Sequence, residues 1–383
     1  MYLDSGDKTL CCGCTACANI CPLSAIHMKQ DERGFFHPVI DKEKCVSCGL
    51  CRKVCDFSSL EPGDHTVLAT YGMYHKDAAV RKKSRSGGAF YMLAQSVIDL
   101  GGSVWGAAFD KSLEVVHKSV EDHAGLVELQ GSKYVQSQMG DSFSKIGKEL
   151  SNGRYVLFSG TACQVAGLFG FLRESQCNTT KLITCDIVCQ GVPSPQIYRD
   201  YRNYLEDQHN AKLVEFQFRD PTRIGWEGHE ESYRFAHDRK THYSRKYTNY
   251  YYAKLLRESC YVCKYAGVHR PGDFSLGDFW GVKESYPEHA AENGTSVILV
   301  NTEKGNAFLE KAKTNGNLFP VELERCLQPR LCSPSQKPDG YEAFWQSYKE
   351  KGPYWCIANY GKESLKSKLV YTIKPLLRKI KKG

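Results

Sequence analysis

The segment CCGCTACANICP at residues 11–22 is followed by CVSCGLCRKVCD at residues 45–56. Both segments read C-x2-C-x2-C-x3-C when they are aligned on Cys11 and Cys45. Proline follows the fourth cysteine of the first copy, and Asp56 stands at that position in the second. One cysteine spacing is therefore written twice near the start of the chain.

This repeated spacing is typical of domains that carry two [4Fe–4S] clusters, in which three cysteines of one copy and the fourth of the other hold each cluster. The exchange arises because one short loop cannot reach all four corners of a cluster. The predicted ligands are Cys11, Cys14, Cys17 and Cys55 for one cluster, and Cys45, Cys48, Cys51 and Cys21 for the other. Paired zinc sites or disulfides are the alternatives, although zinc usually takes two C-x2-C pairs with a longer spacer. Cys12 lies outside the repeat and is assigned no role.

The 383 residues are far more than a two-cluster unit needs, so we expect a larger module after it. A hydrophobic content of 42% with 25% charged residues is ordinary for a globular protein, and no run of 18 apolar residues is present. The first ten residues lack the apolar core of a secretory signal. Eighteen cysteines without such a signal indicate metal ligation in a reducing compartment, so we predict a cytoplasmic protein.

The positive charge is concentrated at the end of the chain. Residues 362–383 contain eight Lys or Arg and one Glu, a net +7 that leaves +1 of the total +8 for the rest. No nucleic-acid motif is present, so we expect no nucleic-acid partner. Apolar residues from Leu365 to Ile380 form a helical stripe among these cations. The stripe favours either peripheral contact with an anionic membrane surface or a solvated docking arm.

Two later segments share the order strand, cysteine-bearing turn and helix. The strand at residues 154–158 runs into Gly160, Thr161 and Cys163, and the strand at residues 182–188 runs into Cys189. Proteins that alternate strands and helices place ligands in such turns. We therefore predict an α+β fold, in which a small ferredoxin-like domain is followed by a mixed α/β module.

Cys260 and Cys263 form a C-x2-C pair with no second pair nearby, so any four-cysteine site needs two ligands from elsewhere. Cys163 and Cys189, each expected on a loop after a strand, are the best candidates. Such a set can hold a third [4Fe–4S] cluster or zinc. Cys163 could instead be a nucleophile, but no histidine is placed to activate it. The remaining cysteines are interpreted as small buried apolar residues: Cys177, Cys185, Cys326, Cys332 and Cys356.

Several of these segments resemble the coenzyme F-420 hydrogenase/dehydrogenase beta-subunit family. The matching runs lie at residues 158–168, 186–195, 260–263 and 277–281, with further matches at 86–88 and 131–137. The resemblance extends over roughly residues 66–330. Ala162 stands where proline is common in the family, and Gln190 where histidine is common.

The resemblance implies a module that binds FAD and a [4Fe–4S] cluster, with Cys163, Cys189, Cys260 and Cys263 as the cluster ligands. It also implies a flavin and substrate surround formed by Ser86, Gly87, Gly88, Lys133, Tyr134, Gln136, Ser137, Gly160, Thr161, Gln164, Gly277 and Asp278. Among these, Lys133 and Tyr134 are the catalytic candidates. The predicted division is a ferredoxin-like domain at 1–62, the two parts of the module at 66–157 and 158–335, and an extension at 336–383.

The expected function is an iron–sulfur flavoprotein oxidoreductase. Electrons would come from a ferredoxin or from a hydrogenase/dehydrogenase subunit, and would leave to a small two-electron acceptor, which the resemblance suggests is coenzyme F-420. One alternative is a reductase of another small molecule linked to polysaccharide biosynthesis. An alternative of a different class is an electron-transfer subunit without a substrate of its own.

Overall fold

The computed structural model describes residues 1–55, 57, 66–251, 255–363, 371 and 373. Its strands are β1 Ile26–Gln30, β2 Phe36–Ile40, β3 Ala69–His75, β4 Ser103–Phe109, β5 Val115–Val120, β6 Val156–Thr161, β7 Leu182–Ile187, β8 Leu213–Gln217, β9 Glu231–Phe235, β10 His242–Ser244, β11 Phe274–Asp278, β12 Ser296–Val300 and β13 Gly316–Pro320.

The α-helices are Tyr2–Ser5, Ala16–Asn19, Leu50–Lys53, Ala78–Ser84, Ala89–Asp99, Leu126–Leu129, Ser142–Ser151, Ala162–Glu174, Pro195–His209, Pro221–Ile224, Lys246–Tyr251, Val282–Ser285, Glu303–Ala312, Leu323–Cys326 and Tyr341–Tyr360. Short 3₁₀ helices are Lys8–Leu10, Glu258–Val262, Pro287–His289, Lys313–Asn315 and Pro329–Leu331.

A mixed sheet of eight strands in the order β13-β3-β12-β11-β7-β6-β4-β5 forms the centre of the larger module. Strands β4, β6, β7 and β11 run parallel, whereas the outer pairs are antiparallel. The predicted neighbours β6 and β7 pair directly, from Val156 with Leu182 to Thr161 with Ile187. Their carboxyl ends therefore meet at one edge of the sheet, and the predicted α+β class is confirmed.

Helices cover both faces of this sheet. The helices Ala89–Asp99 and Glu303–Ala312 bury Met92, Leu93 and Phe308 on one face. On the other face, the helices Ser142–Ser151 and Ala162–Glu174 pack through residues that include Phe143 and Leu168. Strands buried on both faces explain the continuous apolar run of β12, in which every residue is buried.

The helix Ala162–Glu174 begins directly at the end of β6 because a capping box terminates the strand. The Thr161 side chain accepts from the backbone of Gln164, whose own side chain accepts from the Thr161 N–H. Cys163 is therefore in the first helical turn and not on a loop as predicted. The thiol is held by a regular element, which limits its movement.

An aromatic unit packs beside the sheet and contains the strands β8, β9 and β10. Its buried core includes Tyr198, Phe216, Tyr247 and Phe344, contributed by three helices and one strand. The helix Tyr341–Tyr360 from the predicted extension thus joins this core, and it is interrupted at Gly352, where φ is 78°.

The ferredoxin-like region consists of the β1–β2 hairpin and the short helices Ala16–Asn19 and Leu50–Lys53. Both short helices contact Ala162–Glu174 of the larger module. Most of the predicted linker at residues 56–65, and the helical stripe predicted in the tail, lie outside the described residues. Among the described helices, none combines the length and the apolar composition needed to cross a membrane.

Candidate functional site

The cysteines of the repeat lie in two groups. The first, which we call the inner thiol set, contains Cys11, Cys14, Cys17 and Cys55. Burial raises the pKa of Cys17 well above its usual value, and the neighbouring thiols Cys14, Cys11 and Cys55 raise it further. Cys55 thus lies beside the first copy of the repeat, although it is the last cysteine of the second.

The second group, the outer thiol set, contains Cys45, Cys48, Cys51 and Cys21. Burial raises the pKa of the Cys51 thiol, and Cys48, Cys45 and Cys21 contribute to the increase. The fourth cysteine of each copy therefore lies with the first three of the other copy. The assignment of these cysteines as exchanged cluster ligands stays a prediction.

The two copies also share their backbone conformation. Gly13 and its equivalent Ser47 have φ values of 72° and 54°, and Thr15 and Gly49 have 68° and 78°. All four lie in the left-handed region, which non-glycine residues adopt at a cost of roughly 1 kcal/mol or more. Thr15 and Ser47 adopt it nevertheless, so the repeat is one of local structure as well as of cysteine spacing.

The surroundings of the two copies differ. Cys12 is buried at 7% exposure, whereas its equivalent Val46 is 68% exposed. The inner copy packs so closely on the helix Ala162–Glu174 that a Cβ atom added to Gly167 would lie 2.7 Å from Cys14 Sγ. The inner thiol set therefore faces the larger module, and the outer set faces solvent.

A third thiol set is formed by the four cysteines that come from separate elements of the larger module: Cys163, Cys189, Cys260 and Cys263. Burial raises the pKa of Cys189 to about 12 and that of Cys263 to about 11; Cys163 and Cys263 add to the shift of Cys189, and Cys163 adds to that of Cys263. The pKa of Cys260 is raised well above its usual value by burial and by its three thiol neighbours. The structure thus brings Cys163 and Cys189 close to Cys260 and Cys263, although the sequence indicated them only as the best remaining candidates.

Hydrogen-bond donors surround the sulfur atoms of all three sets. The backbone N–H of Gly191 donates to Cys189 Sγ at 3.3 Å, and that of Ala25 donates to Cys21 Sγ at 3.3 Å. Thr161 Oγ1 lies 3.1 Å from Cys163 Sγ. Such contacts favour the thiolate form and orient the ligand.

Cys12 connects the inner and the third thiol sets. The nearby thiols of Cys14 and Cys163 raise the pKa of Cys12 well above its usual value, and Cys12 is in turn the main cause that lowers the pKa of Cys163 to about 7. Its carbonyl oxygen accepts from Gln136 Nε2 at 2.9 Å. Sequence analysis assigned Cys12 no role, because its position outside the repeat gave no indication of the contact with Cys163.

Arg257 lies where the inner thiol set meets the larger module, which we call the junction, and is only 1% exposed. Its guanidinium donates to the carbonyl oxygen of Cys11 at 2.6 Å and lies 3.3 Å from Cys11 Sγ. It also donates to Gln136 Oε1 at 3.2 Å and contacts His37 Nδ1 at 3.1 Å. A buried cation of the larger module is therefore in direct contact with a cysteine of the inner set.

A buried ion pair between Arg270 and Asp186 supports the third thiol set. Arg270 Nε donates to Asp186 Oδ1 at 2.6 Å, and the two side chains are 2% and 0% exposed. The same guanidinium donates to the carbonyl oxygens of Ile187 and Tyr265, at 2.6 and 2.9 Å. Ile187 and Tyr265 are each two residues from a thiol of the set, so this one side chain ties both cysteine segments together.

The predicted flavin residues lie in two separate places, one beside the thiols and one in a group of cationic and aromatic side chains. Gln164 Nε2 donates to Ser137 Oγ at 3.0 Å, so these two residues, with Gln136, Gly160 and Thr161, lie beside the thiols. Lys133, Tyr134 and Asp278 lie elsewhere, in the group described below. The polar segment at residues 131–137 runs from one place to the other.

The glycines of the predicted surround have packing roles. A Cβ atom on Gly87 would lie 2.1 Å from the Met73 carbonyl oxygen, so the chain there lies directly on β3. Ser86 Oγ donates to the Thr295 carbonyl at 3.3 Å, and Gly88 caps the following helix with φ at 92°. Gly277 faces Val188, whose Cγ2 would lie 3.0 Å from an added Cβ.

A group of cationic and aromatic side chains lies next to Lys133 and Tyr134. We call it the cationic–aromatic cluster, and its members are Arg85, Lys133, Tyr134, Arg219, Trp226, His229 and Trp280. Trp226 and Trp280 stack at 5.2 Å, and the Arg219 guanidinium lies 5.4 Å from the Trp280 ring centre. Asp278 accepts from Arg219 at 2.6 Å.

Lys133 and Arg85 form no ion pair with a carboxylate in the described part of the chain. Lys133 Nζ donates to the carbonyl oxygens of Gln130 and Glu128, at 2.9 and 3.1 Å. Burial lowers the pKa of Lys133 to about 7, and the charges of Lys118 and Arg85 contribute. Burial also lowers the pKa of Arg85, and it lowers that of His229 to about 4. The cluster thus brings several basic side chains together in a place where burial disfavours their charged forms.

Sequence analysis assigned no site role to Arg85, Arg219, Trp226, His229 or Trp280. Arg85 precedes the Ser-Gly-Gly turn, and Trp280 follows Asp278, so closeness to matched motifs was the only signal. Of the cysteines interpreted as buried, Cys185, Cys326 and Cys356 are buried and Cys177 is partly so, but Cys332 is exposed. Across the described residues, no three His, Cys, Asp or Glu side chains are arranged to hold a metal ion.

Comparison with known proteins identifies two regions of the chain. Residues 10–59 match the model of the 4Fe-4S dicluster domain. Residues 153–324 match the model of the C terminus of the coenzyme F420 hydrogenase/dehydrogenase beta subunit. The match of residues 66–152 to the amino-terminal part of the family stays a prediction.

Among solved structures, the chain is similar to a chain of the xenon-derivatised F420-reducing [NiFe] hydrogenase complex from Methanosarcina barkeri. The identity is 16% over 75% of this chain and 89% of that chain, with a TM-score of 0.46. No curated protein matches the sequence. The two matched regions make the chain an iron–sulfur electron-transfer oxidoreductase related to the F420 hydrogenase beta subunit.

Proposed function

We propose that this protein passes electrons from two ferredoxin-type clusters, through a third [4Fe–4S] cluster and FAD, to a small two-electron acceptor. The inner and outer thiol sets would hold the first two clusters, and the third thiol set would hold the next one. The cationic–aromatic cluster would bind the flavin. The observation that carries this proposal is the packing of the inner copy, through Cys14 and Gly167, on the helix Ala162–Glu174 that carries Cys163.

The donor sets fit iron–sulfur clusters. Each set consists of four thiols, and backbone N–H, hydroxyl or guanidinium groups donate to sulfur in all three. Thiolate ligands supported by such donors are the usual surroundings of a [4Fe–4S] cluster. The metal content of the purified protein is the direct test of the zinc alternative.

The cationic–aromatic cluster fits an anionic, aromatic cofactor. Lys133 and Arg85 are partly buried cations without a carboxylate partner in the described residues, and a phosphate group would supply the missing negative charge. The stacked rings of Trp226 and Trp280 offer an apolar wall for a planar ring system. FAD combines both features in one molecule.

Clusters carry single electrons and a flavin couples them to two-electron chemistry, so each would supply what the polypeptide cannot. The chain's own residues supply position and charge. Lys133 and Arg219 would counter negative charge near the flavin, while Tyr134, packed at 5.9 Å on Tyr251, excludes water. Gln136 and Arg257 hold the inner copy of the repeat against the module.

The family suggests coenzyme F-420 as the acceptor. Another small molecule linked to polysaccharide biosynthesis is the alternative, and a subunit that only transfers electrons to a partner protein is the alternative of a different class. Nothing in the cationic–aromatic cluster separates F-420 from other anionic acceptors, because their shared chemistry is negative charge next to a planar ring.

Anaerobic purification followed by iron, zinc and flavin analysis tests the proposal. We expect about twelve irons, the content of three clusters, and one FAD. The Cys163→Ser variant should retain about eight irons, while Cys332→Ser, which removes an exposed thiol outside the three sets, should retain all of them. One zinc with about eight irons would refute the third cluster, and absence of flavin after reconstitution with FAD would refute the flavin site.

Stopped-flow spectroscopy then identifies the acceptor class. The pre-reduced protein is mixed with oxidised F-420, and reappearance of the oxidised flavin spectrum is the expected result. Failure of F-420 and of every other small acceptor, in protein that contains all its cofactors, would favour the role of an electron-transfer subunit.

A further inference from the structure

The outer copy of the repeat presents apolar side chains to solvent beside its thiols. Val46 is 68% and Leu23 is 47% exposed, and Cys48 is itself exposed. Val46 lies between Cys45 and Cys48, and Leu23 lies two residues after Cys21, which also belongs to the outer set. Apolar side chains at this exposure, grouped around a redox site, are typical of a surface that meets another protein.

Backbone hydrogen bonds link the segment that carries Leu23 to the segment that carries Val46. The Asp41 N–H donates to the Ala25 carbonyl at 2.8 Å, and the Cys45 N–H donates to the Asp41 carbonyl at 3.1 Å. The turn that carries Leu23 therefore adjoins the segment that leads into Cys45 and Val46. We call this region, with its charged rim described next, the outer face.

The rim of the outer face is positive. Residues 42–53 contain four exposed cations, Lys42, Lys44, Arg52 and Lys53, and one exposed anion, Glu43. Lys44 pairs with Asp41 at 3.6 Å and Arg52 with Asp4 at 2.6 Å. Lys42 and Lys53 form no ion pair within the described residues.

The opposite side of the domain is covered. Gly167 lies against Cys14, and Arg257 lies against Cys11, so the larger module packs directly on the inner copy. A protein carrying electrons to or from the repeat therefore reaches a thiol set most directly at the outer face. Transient redox complexes are small, and an apolar centre with a charged rim is sufficient for one.

We propose that the outer face is the docking surface for an acidic one-electron carrier protein. Negative charges on the carrier would meet Lys42, Lys44, Arg52 and Lys53, and its apolar centre would meet Val46 and Leu23. One electron passes from the reduced carrier to the cluster held by the outer thiol set, so the carrier is oxidised and the cluster is reduced. No bond forms or breaks. This inference rests on the proposed cluster of the outer set.

The test uses the full-length, cluster-loaded protein and a reduced acidic [2Fe–2S] ferredoxin as the probe. Stopped-flow absorbance measures the second-order rate of cluster reduction over a range of ionic strength. We expect the rate to fall as salt is raised, because screening weakens attraction between opposite charges. The Lys42→Glu/Lys53→Glu variant should be reduced about tenfold or more slowly at low salt. Val46→Ser should slow the reaction severalfold without changing its salt dependence.

The matched control is Lys111→Glu/Lys311→Glu, which reverses the charge of two exposed lysines elsewhere on the molecule. Its net charge therefore equals that of the Lys42→Glu/Lys53→Glu variant. Its rate should stay within about twofold of the wild-type rate. Equal slowing of both double variants, or a rate indifferent to salt, overturns the docking surface. Iron content and the extent of bleaching by excess dithionite are measured on every sample. Protein without iron would contradict the proposed clusters, whereas fully loaded variants with unchanged rates contradict only the docking surface.

Discussion

The two copies of the cysteine repeat have the same spacing and the same left-handed backbone positions, but they lie in opposite surroundings. Cys12 of the inner copy is buried against Cys163, whereas the equivalent Val46 is exposed on the outer face. A symmetric motif has thus become an asymmetric one, with one end buried at the larger module and the other open to a partner. The following predictions compare matched positions of the two copies.

The largest difference is expected for the arginines beside each copy. Arg257→Met should reduce the free energy of unfolding by about 3 kcal/mol or more, because it leaves buried acceptors at Cys11 and Gln136 without their donor. Arg52→Met removes an ion pair whose arginine is 69% exposed, and should cost less than about 1 kcal/mol. Denaturant unfolding under anaerobic conditions measures both. Equal losses would show that the junction does not depend on Arg257.

Next in size is the effect of adding a methyl group at glycines of the two copies. Gly13→Ala should cost about 2–3 kcal/mol, because φ is positive and the new Cβ would lie 2.5 Å from Gln136 Nε2. Gly49→Ala has the same type of backbone but no atom within 4 Å, and should cost about 1 kcal/mol. The difference between the two midpoints of thermal unfolding isolates the contact with the larger module, and its absence would mean that the junction adapts freely.

Mild oxidation should separate the clusters by exposure. We expect about four irons to be released roughly tenfold faster than the rest, because oxidation of cysteine ligands follows their access to solvent and Cys48 is exposed. Iron release is followed with a chromogenic chelator. The Cys48→Ser variant, which lacks the outer cluster, should lose this fast phase. A single phase in the wild-type protein would contradict the difference in exposure.

The smallest effect is expected at the equivalent positions Cys12 and Val46. Cys12→Ala removes the thiol that acts most strongly on the pKa values of Cys14 and Cys163, and should cost about 1 kcal/mol and lower the reduction potentials of the clusters beside it. Val46→Ala should leave stability within about 0.5 kcal/mol and the potentials unchanged. Redox titration monitored by electron paramagnetic resonance measures the potentials. Identical redox titrations for the two variants would show that Cys12 does not influence the clusters beside it.

The third thiol set shows how far the sequence could be interpreted. The pair Cys260 and Cys263 required two further ligands, and position after a strand pointed to Cys163 and Cys189. The sequence could not reveal that Arg270 ties the Cys189 and Cys263 segments together, since its partners Asp186 and Tyr265 have no spacing signature. Buried polar networks depend on which segments meet, and that is a property of the whole fold.

The flavin surround was harder to predict. Motif resemblance pointed to a polar segment at residues 131–137, whose role beside a flavin stays a prediction, and it did not distinguish Lys133, in the cationic–aromatic cluster, from Gln136, which donates to the carbonyl of Cys12. Lys133 and Gln136 are only three positions apart, but the irregular segment between them places one in the cationic–aromatic cluster and the other beside the thiols. The cations Arg85 and Arg219 come from different parts of the chain, so only tertiary contact shows that they share one place.

By itself, the sequence determined the repeated cysteine spacing and the order of strand and helix that follows it, because spacing and capping are local, and it predicted the cysteine sets. Thr161 and Gln164 form a capping box within four residues, and each C-x2-C-x2-C run folds with its own left-handed turns. Only the tertiary structure decided which copy of the repeat faces inward. Gly167 and Arg257 lie far along the chain from Cys11 and Cys14, and their contact is set by how the whole surface of the module packs against the repeat.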